Sequence, residues 1–107
     1  MKNELFRQGD VLLQRVGKGT IKGKSKKIPR DRGRIILAYG EVTGHAHAVV
    51  DASAELIELE NGDRFLCSDA GIRIVHEEHS TVTLPAGTYQ VTRQREYSPE
   101  EIRNVAD

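Results

Sequence analysis

The sequence predicts an all-β domain, a small barrel or sandwich of about seven to eight short strands with a short C-terminal helix. Three observations predict it. Apolar and polar residues alternate with period two through most of the chain, as half-buried strands require. Turn-forming Gly, Pro and Asn residues recur between those runs at the spacing of sandwiches and barrels. The 107 residues, 37% apolar and 30% charged, supply one hydrophobic core and not two. Residues 1–107 are therefore read as a single domain.

The elements follow in order. Residues 10–16 alternate as a strand. Residues 17–34 hold Gly17, Gly19, Gly23, Gly33 and Pro29, which predicts a mobile basic loop over 18–33, of a length usually reserved for functional loops. Residues 34–39 are almost continuously apolar, which predicts a central strand buried on both faces. Residues 41–50 read as the next strand. Residues 55–60 and 63–67 flank Asn61-Gly62, a pair that favours a type I′ hairpin turn because both positions need positive φ. A strand over 72–75 follows the turn Asp69-Ala70-Gly71. Strands over 81–84 and 88–97 flank Pro85-Ala86-Gly87. Ser98-Pro99-Glu100-Glu101 is a capping box with proline at the first helical position, so a helix is expected within 98–107, burying Ile102 and Val105.

The net charge of zero hides a segregation. Arg15, Lys18, Lys22, Lys24, Lys26, Lys27, Arg30, Arg32 and Arg34 stand against Asp31 alone, whereas residues 41–78 are acidic. A basic block of this density either solvates a loop or grips a polyanion. The acidic middle disfavours long duplex DNA and favours a small anionic ligand. Cys67 is the single cysteine, so no internal disulfide can form, and it reads as a small buried hydrophobe. The first residues lack the apolar stretch of a signal peptide, and no run reaches the roughly 20 apolar residues of a membrane span. A cytoplasmic location without membrane contact is expected.

All four histidines fall in two motifs, His45-Ala-His47 and His76-Glu-Glu-His79. On a strand, His45 and His47 share one face, with Ala46 and Ala48 on the other, suited to a packed interior. His76 continues the face of Ile72 and Ile74, and His79 sits just beyond. Two chemistries need such grouping. In the first, the imidazoles are acid and base for cleavage of an RNA phosphodiester, since histidine does either job near neutral pH without a metal. His45, His47, His76 and His79 are then the catalytic candidates. Lys26, Lys27, Arg30, Arg32, Arg93 and Arg95 are the cations that grip phosphate, and Tyr39 and Tyr97 contact a base or the leaving group. Tyr89, Val91, Arg93, Arg95 and Tyr97 share a face if 88–97 is a strand. In the second chemistry His45, His47 and Asp51 hold a divalent metal such as Zn, Mn, Fe or Ni. A non-catalytic RNA-binding or interaction module is the third reading.

Two resemblances bear on that choice. Gly40, His45-Ala-His47 and Asp51 resemble the first cupin motif, and Pro85-Ala-Gly87 with Thr88-Tyr89-Gln90 resembles the second. The departures are a shorter glycine-to-histidine gap, a displaced acid, and Gln90 where the second motif carries histidine. The cupin resemblance implies a metal site. Residues 30–47, His76-Glu-Glu-His79, 84–89 and 94–97 are together similar to a family of short bacterial and phage proteins related to the ring nucleases that degrade cyclic oligoadenylate in CRISPR defence. That resemblance implies a compact homodimeric enzyme cutting a cyclic oligonucleotide without a metal or other cofactor.

Overall fold

The structure, a computed structural model, describes residues 4–40 and 44–93. The predicted helix over 98–107, Arg95 and Tyr97 lie outside the described residues. Within them the protein is all-β: ten strands in two antiparallel sheets.

The strands are β1 (Leu5–Gln8), β2 (Val11–Val16), β3 (Ser25–Lys27), β4 (Ile35–Tyr39), β5 (Ala46–Val49), β6 (Glu55–Leu59), β7 (Arg64–Ser68), β8 (Ile72–Val75), β9 (Val82–Leu84) and β10 (Gly87–Arg93). The larger sheet has the order β1-β2-β10-β7-β6-β3 and the smaller β4-β5-β8-β9. Period-two alternation assigns the faces. Val11, Leu13, Leu56, Leu66 and Tyr89 from the larger sheet meet Ile35, Leu37, Val49, Ile72, Ile74 and Leu84 from the smaller in one buried core. Tyr89 is wholly buried. Its hydroxyl donates to the Pro85 carbonyl at 2.7 Å, and Phe6 meets its ring edge-on, so the largest core side chain leaves no unpaired polar atom.

Several expectations need correction. The basic segment is not one long loop: a 3-10 turn occupies Lys18–Thr20 and β3 adds to the larger sheet. The reason is its neighbour. Lys26 lies opposite Glu58, Lys27 Nζ stands 3.5 Å from Glu55, and Ile28 anchors the exit by donating to the Leu56 carbonyl and packing on the core. The Asn61-Gly62 hairpin is present, but its turn is not type I′. The Gly62 N–H donates to Leu59 and the Leu59 N–H to Asp63. Only Gly62 takes positive φ, which is the three-residue loop ending in a left-handed glycine. Asn61 Oδ1 accepts from the Asp63 N–H.

Strand β4 is an edge strand rather than a central one. Its apolar run is needed all the same, because the larger sheet covers its free edge. At the bulge between Ile36 and Ala38, Arg64 donates to the Ile36 and Leu37 carbonyls at 3.1 and 3.0 Å, and Arg93 donates to the Tyr39 carbonyl. Edge acceptors are thus occupied by side chains, a known protection against pairing with another chain.

Arg30 is a structural cation. Its guanidinium donates to the carbonyls of Gly33, Asp51 and Ala54, pinning the approach to β4 onto the β5–β6 connection. Arg30→Ala is expected to lower stability by about 1–3 kcal/mol, since it strands part-buried acceptors. Lys27→Ala, which breaks only an exposed ion pair, is expected to change it by less than about 0.5 kcal/mol. Urea unfolding of the two variants distinguishes these outcomes.

Candidate functional site

The site sits at one end of the sandwich, where the β1–β2 turn and the β8–β9 connection meet Gly40, just after β4, and His45, just before β5. Strand alternation aims the histidines. Val49 faces the core, so His47, two residues earlier, faces the same inter-sheet space at its end. His76 continues the row of Ile72 and Ile74 and reaches His47 across the β5–β8 pair. The four rings form one contiguous group. Centroid separations are 5.7 Å for His45–His76, 4.4 Å for His47–His76, 4.6 Å for His76–His79 and 5.7 Å for His47–His79. The two motifs, separated in sequence, make one site. Ala46 and Ala48 are also buried, but it is His47 that points to the space between the sheets.

His47 is the best-determined member, 2% exposed. Its Nδ1 lies 2.8 Å from Gln8 Oε1, and Gln8 Nε2 donates to the carbonyls of Ile74 and Ser80 at 2.8 and 2.9 Å. Both amide hydrogens are therefore committed, which leaves Oε1 as the atom facing the ring. An oxygen accepts, so His47 carries its proton on Nδ1 and presents a lone pair at Nε2. That Nε2 faces Asp10 Oδ1 at 3.4 Å. The other Asp10 oxygen accepts from Arg93 Nε at 3.1 Å. Burial alone would raise the Asp10 carboxyl, but the hydrogen bond and charge of Arg93 hold it below the usual range. Burial, then His76, pushes His47 below its ordinary value against the opposing pull of Asp10.

His45 and the 76–79 turn form the other half. His45 Nδ1 is buried without a hydrogen-bond partner, and Glu78 Oε2, at 3.7 Å, is beyond hydrogen-bonding reach. One donor atom from each of His45, His76 and Glu77 lies within 4.8 Å of the others. Glu77 accepts from the Ala46 N–H at 3.0 Å, which first of all lowers its pKa, helped by its own backbone amide and by His45 and His76. His76 Nδ1 accepts from the Glu78 N–H at 2.9 Å, so its neutral ring carries the proton on Nε2. Two glycines make room. A Cβ at Gly9, whose φ is +58°, would lie 2.7 Å from His79 Nε2 and 3.1 Å from His47 Cε1, and one at Gly40 would lie 3.0 Å from His45 Cβ and 3.4 Å from His76 Nε2.

The other candidates divide. Arg93 joins the site, and Tyr89, Val91 and Arg93 do share the inward face of β10. Tyr39 borders it through the carbonyl bound by Arg93, while its hydroxyl donates to Asp31 at 2.7 Å. Lys26 and Lys27 do not join. From Val91 the register runs through Arg64 and Glu58 to Lys26, three strand spacings or roughly 14 Å away. Arg30 is committed to carbonyls, and Arg32 occupies an exposed turn at φ 56°. Asp51 is also excluded: its carboxylate accepts from the Arg73 N–H at 2.8 Å, beyond the far end of β5. Gln90 lies in the outward row with Gln14 and Phe65. The carboxylates that accompany the histidines are Asp10, Glu77 and Glu78. Burial raises the Cys67 thiol, against a lowering hydrogen bond from Thr88, which suits its structural reading.

Compared with known proteins, residues 7–94 match a domain family of unknown function, DUF8820. The match covers most of the chain, which belongs to that family. No curated protein and no solved structure matches it. Among the described residues, no helix is long and apolar enough to cross a membrane.

Proposed function

We propose that this DUF8820 protein is a metal-dependent enzyme of the cytoplasm that binds a divalent transition ion on His45, His76 and Glu77. The observation that carries the reading is His45: its Nδ1 is buried with no hydrogen-bond partner, and one of its ring nitrogens lies within 4.8 Å of donor atoms of His76 and Glu77. A buried polar atom left unpaired costs about 1–3 kcal/mol, and an ion relieves that cost. Two imidazoles and one carboxylate suit Zn, Fe, Mn or Ni and leave coordination positions open for water or a substrate oxygen. An ion held by His45, His76 and Glu77 would supply a Lewis acid able to activate water for hydrolysis. His76 would enter through its Nδ1 lone pair in place of the Glu78 amide, or through Nε2 once the ring proton has moved to Nδ1, and either route gives up the Glu78 hydrogen bond. The proposed set differs from the cupin-like one in two ligands: His76 stands in place of His47, and Glu77 in place of Asp51, whose carboxylate accepts from the Arg73 N–H.

The test is metal analysis of the full chain after loading and exhaustive dialysis. Stoichiometric metal is expected, removable by EDTA, with affinity falling roughly 100-fold or more in His45→Ala and His76→Ala. A folded protein that retains no metal, or variants that retain it undiminished, would sink the reading.

One observation favours a second reading, metal-independent cleavage of RNA or a cyclic oligonucleotide. Arg93 stands with Asp10 beside a histidine held with a free Nε2 lone pair, the form a general base needs. The separation of Lys26, Lys27, Arg30 and Arg32 from the histidines removes most of its phosphate grip. EDTA-resistant turnover yielding 2′,3′-cyclic phosphate ends would select it.

A further inference from the structure

We infer that the cluster holds a second cation, between His47 Nε2 and Asp10 Oδ1, so that the loaded centre is dinuclear. The inference rests on the metal reading above and extends it to residues that reading does not use. Gln8 fixes the proton of His47 on Nδ1, because both Gln8 amide hydrogens are spent on the Ile74 and Ser80 carbonyls. The opposite nitrogen then carries a lone pair, and what it faces is a carboxylate oxygen. Two acceptors so placed repel each other unless a cation lies between them.

The separation says which cation. A charge-assisted N–H···O bond closes to about 2.7–2.9 Å, and this pair stands at 3.4 Å. Two metal–ligand bonds of about 2.1 Å meeting at the tetrahedral angle put their donor atoms about 3.4 Å apart. The surroundings are those of a ligating histidine. The far ring nitrogen donates to a fixed acceptor that sets ring orientation, and Asp10 is itself held by Arg93 through its other oxygen. The ring is 2% exposed, so the histidine side of the site is buried while the Asp10 side, 29% exposed, stays open to water or substrate. A Cβ at Gly9, whose φ is +58°, would collide with His79 Nε2 and crowd His47 Cε1, so glycine is required beside these two rings. The His47 and His76 rings are tilted neighbours with centroids 4.4 Å apart, so the two ions would be held on adjacent rings. Paired ions of this kind clamp the attacking and leaving oxygens of a phosphoester, the substrate class such a centre would take.

The experiment is a Co²⁺ titration of the metal-free full chain, followed by visible absorption, with metal analysis of the dialysed product. Two equivalents are expected for the unaltered protein and one for Asp10→Asn. His45→Ala should lose the other equivalent. Asp10→Ser, checked for folding by circular dichroism, guards against misfolding of the first variant. One equivalent in the unaltered protein, lost in His45→Ala and kept in Asp10→Asn, would overturn the second site and leave the first intact. No bound Co²⁺ would overturn both. Two equivalents in Asp10→Asn and Asp10→Ser would overturn the assignment to Asp10.

Discussion

Gln8→Leu is expected to destabilise the protein by about 3–5 kcal/mol, a large share of the 5–15 kcal/mol that holds a domain of this size together. The side chain is 2% exposed and makes three hydrogen bonds, to His47, Ile74 and Ser80. Leucine fills a similar volume, so little of the loss is packing. It comes from stranding three polar partners, each at a cost of about 1–3 kcal/mol when fully buried. Ser80 lies in an exposed turn and recovers water, which keeps the total at the lower end of that sum. Urea unfolding measures the loss. Gln8→Glu separates tethering from ring orientation: the carboxylate still accepts from His47 but cannot donate to either carbonyl. A change below about 1 kcal/mol for Gln8→Leu would show that the two sheets are not tied at this corner.

The second large effect is metal-dependent stability. An ion that binds only the folded chain, present at a thousand times its dissociation constant, adds about 4 kcal/mol. For a chain of this length that raises Tm by roughly 15 °C. The rise should vanish with EDTA and be lost in His76→Ala, whose ring touches both halves of the cluster. Calorimetric scans with and without chelator give the result directly. Equal Tm values would count against any resident metal, and so against the function proposed.

Much of the fold was legible because period-two alternation is a local property. Strands β2, β6, β7 and β8 fall within a residue of the runs that predict them. Strand β3 was not legible: Ser25-Lys26-Lys27 has no apolar period, and it is a strand only because β6 offers an edge of opposite charge. The edge position of β4 was hidden for a related reason. Its apolar run is equally compatible with burial by neighbouring strands or by Arg64 and Arg93, which come from elsewhere in the chain. The grouping of the histidines could be read from their motifs, and alternation placed His76 with Ile72 and Ile74, but it gave the packed interior to Ala46 and Ala48 when it is His47 that faces the space between the sheets. Their acidic partners could not all be read so. Glu77 lies inside a motif, but Asp10 arrives from a turn whose approach depends on how the sheets dock. Charge density misled for the same reason, since it says nothing of which strand the lysines lie beside.

The segments that meet at the histidines, Gln8–Asp10, Gly40 with His45–His47, and His76–Ser80, come from the beginning, middle and later part of the chain. The Gln8–His47 contact spans 39 residues and the Gln8–Ile74 contact 66. Such contacts close late in folding, after local hairpins, because each must overcome the entropy of a long loop. The constellation therefore does not exist in any hairpin fragment, and an ion bound there has nothing to hold until both sheets have docked. Ligation there would act on the escape route rather than the entry. It would leave the folding rate almost unchanged and slow unfolding, since contacts absent from the transition state stabilise only the native side of the barrier. In a cell, such an ion would set the lifetime of each folded molecule rather than the ease of its production.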